Sequence, residues 1–143
     1  MMLSHEHAPS SLAYLVAAKQ LCGKRVELER RRRGMSQVFL GRKAGLGPAW
    51  IRQLESGYPK VRLEDYLACL DSFDVSPLAL LVPVLFAKHE RDIPQSLLLG
   101  DLERLETSLM EAVVRWHVEE LEAMLAEMAA PAPSHIADRP DND

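Results

Sequence analysis

The chain has 143 residues, of which 48% are hydrophobic and 27% are charged, and its formal net charge is −4. A chain of this length and composition folds, with room for one compact domain and an appendage. Its longest uncharged stretch, residues 75–87, is too short to span a bilayer and contains two prolines. The N-terminus lacks the basic start and apolar core of a signal peptide, so we expect a cytoplasmic protein with no membrane partner.

The charge is divided unevenly along the chain. Residues 19–62 contain twelve Lys and Arg against three Glu, a net charge of +9, whereas residues 63–143 have a net charge of −12. A basic segment within an acidic chain is typical of a protein that binds a polyanion. The acidic overall charge is therefore no argument against DNA binding.

Apolar periodicity and capping residues predict an all-α fold, with no β-strand period. Gly23 is a candidate break within the first predicted helix. The fourth helix should turn Leu63, Leu67 and Leu70 inward. The predicted helices cover residues 11–33, 37–44, 48–56, 63–73, a short apolar segment that ends near 88, and about 97–129.

The sharpest local signals surround the second and third helices. Ser36 is a good N-cap for the second helix, and Gly45 suits the left-handed residue that closes it. Gly47-Pro48 is a favoured start for the third helix, and Gly57 ends it. Two short helices joined by a tight turn are thus expected near the centre of the basic segment.

The third helix has two different faces. On a helical wheel Ile51 and Leu54 point to one side, which predicts a buried face. Arg and Gln on the other side suit guanine and adenine edges in a DNA major groove. The predicted base-reading residues are Ala49, Arg52, Gln53 and Ser56, with Pro48 and Trp50 at the edges of that face.

Residues 30–57, RRRRGMSQVFLGRKAGLGPAWIRQLESG, resemble the Cro and phage-repressor (XRE) helix-turn-helix family, and the resemblance extends over about 24–82. It implies a five-helix repressor-type domain that binds double-stranded DNA at the nucleoid and regulates transcription. It also implies that Arg30 and Glu55 form a partly buried ion pair. The expected domains are an N-terminal extension (1–22), the helix-turn-helix domain (23–89), a helical dimerisation segment (90–130) and a disordered tail (131–143).

Several polar residues are candidates for phosphate contacts. Ser36 and Gln37 lie at the N-terminus of the second helix, where backbone N–H groups favour anions. Arg42 and Lys43 lie near its far end. The resemblance adds Lys60 and Arg62, in a loop that touches the DNA backbone in some relatives.

The long C-terminal helix carries an apolar stripe that resembles a heptad seam before it drifts around the helix. Because the domain core is already supplied by other residues, the expected partner is the same helix of a second subunit. The alternative is that the helix folds back onto its own domain. The predicted dimerisation residues are Leu98, Leu102, Leu105, Leu109, Val113, Trp116, Leu121 and Met124.

Other functions have less support in the sequence. The acidic C-terminal helix could instead bind another protein, as in an antitoxin that neutralises a toxin or an adaptor that does not bind DNA. We expect no enzyme and no cofactor, since no nucleophile stands with a base and no glycine loop suits phosphate. Cys22 and Cys69 should be small buried residues, and His5-Glu6-His7 lacks a third ligand, so no metal site is expected.

Overall fold

The computed structural model describes residues 12–131, and this part of the chain contains seven helices and no strand. The lead-in with His5-Glu6-His7 and all of the tail after residue 131 lie outside the described residues. No described helix has the length and apolar character needed to cross a membrane. The helices are α1 (Ala13–Arg32), α2 (Gln37–Ala44), α3 (Pro48–Glu55), α4 (Leu63–Ser72), α5 (Leu78–Lys88), α6 (Gln95–Leu99) and α7 (Glu103–Ala129).

Helix α1 is continuous, so the break expected at Gly23 is wrong. Gly23 is instead the point where α1 lies against the end of α3. A Cβ atom there would lie 2.3 Å from the backbone oxygen of Leu54, which no side chain tolerates. Two residues N-terminal to the glycine, Ala18 and Cys22, are fully buried. The described part of the predicted extension is therefore an integral part of the first helix.

Helices α2 and α3 begin and end on the local signals in the sequence. The Ser36 hydroxyl accepts a hydrogen bond from the Phe39 N–H at 3.0 Å, which caps α2. Gly45 ends α2 in the left-handed conformation, with φ of 74°. Pro48 is the first residue of α3, where its missing N–H costs nothing. The turn between the two helices is only three residues long.

The core lies between α1, α2, α3, α4 and α5. In α4 the buried face differs from the prediction, because Leu63 and Leu67 are each 37% exposed while Leu70 is buried. The stripe that faces the core follows the spacing 66, 69, 70, 73, which a helix places on one side. The fully or almost fully buried side chains of the core include Val26, Leu40, Ile51, Leu54, Val61, Tyr66, Cys69, Leu70 and Phe73.

The predicted long C-terminal helix is divided at Gly100. This residue has extended backbone angles (φ −77°, ψ 173°), and the Asp101 carboxylate then accepts from the Glu103 N–H at 3.0 Å. The buried Arg25 guanidinium donates to the carbonyls of Leu98 and Gly100 at 2.8 and 3.0 Å. These bonds satisfy carbonyls that a continuous helix would have used itself.

This break changes the assignment of two predicted dimerisation residues. Leu102 is 3% exposed and packs in the domain core, and Leu98 is half-buried beside α1. Neither belongs to a stripe that is free to bind a second subunit. The chain divides into two compact units, of which the first ends at Glu106 and the second begins at Thr107. The first unit thus extends beyond residue 89, where the sequence suggested that the domain ends.

Candidate nucleic-acid interface

Helix α3 presents one buried and one exposed face. Ile51 and Leu54 are fully buried, which fixes the rotation of the helix about its own axis. Four residues predicted to read bases, and Pro48 at the start of the helix, are exposed. Because the buried side chains lock the helix, the exposed polar groups are held in a constant direction. The exposed members are Pro48, Ala49, Arg52, Gln53 and Ser56.

Trp50 is the member of the predicted base-reading set that the structure places differently. Its indole N–H donates to the Asp65 carboxylate at 2.8 Å, and its ring is half-buried. The ring also meets Tyr58 edge to face, with ring centroids 6.3 Å apart. Trp50 therefore joins α3 to α4. Asp65, 5% exposed, is a supporting residue that sequence reasoning missed.

A charged cluster ties α1, α2 and α3 together. Arg30 and Glu55 form a two-pronged ion pair, with N–O distances of 2.6 and 3.0 Å, and both side chains are buried. The hydrogen bond to Glu55 raises the pKa of Arg30 above its ordinary value. A second Glu55 contact comes from Gln37, whose amide donates at 3.1 Å. Gln37 thus links the start of α2 to the end of α3.

The candidate phosphate contacts divide into two groups. Arg42, Lys43 and Lys60 are exposed and form no ion pair within residues 12–131. Arg62 lies 2.9 Å from Glu64 and 3.8 Å from Asp65, which offsets part of its charge. Ser36 is exposed, but its hydroxyl oxygen already accepts from the Phe39 N–H.

The arginine run at the end of α1 is largely neutralised within the protein. Arg31 pairs with Glu27 at 2.9 Å, one helical turn away. Arg32 and Arg33 both contact the buried Glu29, at 2.7 and 3.4 Å, and Arg33 also lies over the Phe73 ring. The spacing of three and four residues was the available signal for these pairs. Among the basic residues from 30 to 62, the unpaired positive charge therefore lies on α2, α3 and the loop after α3.

No group of three or more His, Cys, Asp or Glu in the described part of the chain could hold a metal ion. Cys22 and Cys69 are buried free cysteines, as the sequence predicted. Burial raises the pKa of each thiol to about 12. Since the thiolate is the reactive form, these two residues are inert packing groups.

Two short helices joined by a tight turn, with the second fixed by its buried face, define a helix-turn-helix domain. Residues 22–81 match the family model for a helix-turn-helix domain, which confirms that part of the resemblance. No curated protein and no solved structure matches the chain. A domain of this class indicates DNA binding and regulation.

Proposed function

We propose that this protein is a transcriptional regulator of the XRE type that binds a specific operator sequence as a homodimer, with α3 in the DNA major groove. The observation that carries the proposal is the division of α3 into a fully buried apolar face and an exposed polar face. Arg52 and Gln53 lie side by side on the exposed face. Their side chains have the donors and acceptors that distinguish guanine and adenine edges.

The unpaired cations around α3 support the same orientation on DNA. Arg42 and Lys43 lie in the last turn of α2, the neighbour of α3, and Lys60 lies in the loop just beyond α3. Phosphate contacts from both sides would hold the helix in the groove without themselves reading sequence. Gln37 at the start of α2 has a remaining amide N–H for the same purpose.

The small size of the α3 surface that can contact bases supports a homodimer. One helix of eight residues contacts only a few base pairs, which is too little to select a site in a genome. A two-fold dimer places a second copy of α3 one or more DNA turns away, and each turn is about 34 Å. The operator of such a dimer is an inverted repeat.

The test is selection of duplexes from a random library by the full chain. We expect enrichment of an inverted repeat whose half-sites are separated by a whole number of turns. The Arg52→Ala and Gln53→Ala variants should change the preferred bases within each half-site. Retention of duplexes without any enriched sequence would reject a sequence-specific regulator, and no retention at all would favour a protein-interaction adaptor.

A further inference from the structure

The second unit contains a helical surface that the DNA-binding function does not use. Between residues 107 and 129 none of the α7 side chains is buried. Its large apolar residues are 44–80% exposed and together cover about half of the circumference of the helix. We define the α7 stripe as Leu109, Met110, Val113, Val114, Trp116, Val118, Leu121, Met124, Leu125 and Met128.

The opposite side of the same helix is polar or small. A residue spacing of three and four brings Ser108, Glu111, Arg115, Glu119 and Ala126 to this back face. Glu120 and Glu127 are the charged residues on the side of the stripe. A helix with so broad an apolar face buries it against a partner. The α7 stripe is therefore a docking surface.

Charge along α7 indicates which partner fits. Residues 107–118 contain one Glu and one Arg, whereas residues 119–129 contain four Glu and no Lys or Arg. Two copies placed in parallel and in register would set the four carboxylates of one helix beside the same four of the other. An antiparallel pair with its axis near residue 119 keeps Glu119 and Glu120 close to the axis. It moves Glu122 and Glu127 away from their own copies and nearer the positive N-terminal pole of the partner helix.

We propose that the α7 stripe binds the α7 stripe of a second copy of this chain in an antiparallel arrangement. A two-fold axis then passes near residue 119, as an isologous interface requires, and Glu122 comes about level with Arg115 of the partner subunit. This inference rests on the homodimer of the proposed function and adds its interface and orientation. The N-terminal ends of the two α7 stripes are then separated along the pair by roughly 30 Å.

Intersubunit distances between spin labels test the orientation directly. Three variants of the full chain, Ser108→Cys, Glu119→Cys and Ala126→Cys, each place one label on the back face, away from the stripe. The native Cys22 and Cys69 are buried and should take no label, which the unsubstituted chain checks as a control. Light scattering on each labelled variant confirms that the label leaves the assembly unchanged. Pulsed electron resonance then gives the distance between equivalent labels.

In an antiparallel pair the axial separation of equivalent residues grows by about 3 Å for each residue away from the midpoint. We therefore expect the shortest distance at residue 119 and clearly longer ones at residues 108 and 126. Three nearly equal distances would mean a parallel pair and would overturn the proposal. A labelled chain without any intersubunit signal would also overturn it. The duplex selection reports DNA reading separately, so failure of this interface can be distinguished from failure of the proposed function.

Discussion

Two groups of positive charge lie close together in the sequence and behave differently in the structure. The arginines at the end of α1 are paired with Glu27, Glu29 and Glu55, and one of them is buried. The cations of α2, α3 and the following loop are exposed and, apart from Arg62, have no ion-pair partner in the described chain. The first group is largely neutralised within the protein, and the second keeps most of its charge unpaired at the surface. A charge count therefore overstates the surface that can bind a polyanion.

The largest effect should come from breaking the buried pair. Replacement of Arg30 by Ala leaves Glu55 buried with its charge only partly compensated, and such a loss costs about 3–5 kcal/mol of the free energy of unfolding. Urea unfolding of the variant measures this loss. In a double-mutant cycle with Glu55→Ala, we expect coupling well above that of an exposed pair.

The matched control is Arg31→Ala, which removes the same charge one residue away. Arg31 is 68% exposed and pairs with Glu27 at the surface, so its loss should cost less than about 1 kcal/mol. Equal destabilisation by the two variants would mean that the buried Arg30 pair stabilises the domain no more than the exposed Arg31 pair does.

The next largest loss of stability should come from the contact between α3 and α4. Trp50→Phe keeps an aromatic ring but removes the N–H that donates to Asp65, which leaves a buried carboxylate without this partner. The free energy of unfolding should fall by about 1.5–3 kcal/mol. Asp65→Asn retains an oxygen acceptor and should cost less. A Trp50→Phe variant as stable as the parent would show that the hydrogen bond does not hold α3 in place.

Recognition of the DNA sequence should depend on the exposed polar face of α3. Arg52→Ala is expected to lose about 1–3 kcal/mol of binding free energy on the selected operator and much less on a random duplex. Fluorescence anisotropy with both duplexes measures the difference. Arg31→Ala, an equal change of charge, should leave operator binding nearly unaltered. If Arg52→Ala weakened binding to both duplexes equally, Arg52 would contact phosphate and not bases.

Gln37→Ala should have the smallest effect, about 1 kcal/mol, and it should fall alike on operator and random DNA. The side chain braces Glu55 and has one amide N–H left for a phosphate. Val38→Ala, an exposed apolar change on the same helix, is the control. A loss restricted to the operator would make Gln37 a base-reading residue.

The parts of the fold that were predictable depend on neighbours in the sequence. The Ser36 cap, Gly45 and Pro48 fixed the bounds of α2 as expected and those of α3 to within one residue. The exposure of Arg52 and Gln53 followed from the same short-range pattern, since Ile51 and Leu54 had to face the core. Local capping and periodicity determine these features, so one sequence is enough to find them.

The features that were missed depend on distant residues. Arg25 binds carbonyls more than 70 residues away, and that contact, together with the local Gly100 and Asp101 geometry, accounts for the stop at Leu99 and the restart at Glu103. The apolar spacing continues across Gly100, so periodicity alone predicted α6 and α7 as one helix. Trp50 likewise finds its partner on another helix, and nothing in the spacing of α3 indicated an inward indole.

The most direct test of DNA binding by the unpaired cations is the salt dependence of binding to a duplex. We expect the logarithm of the association constant to fall linearly with the logarithm of salt concentration. Lys43→Ala and Lys60→Ala should each reduce the slope by about 0.9, whereas Arg31→Ala and Arg32→Ala should leave it unchanged. A flat salt response, or equal changes in slope for the paired and unpaired residues, would contradict this assignment of the DNA-binding surface.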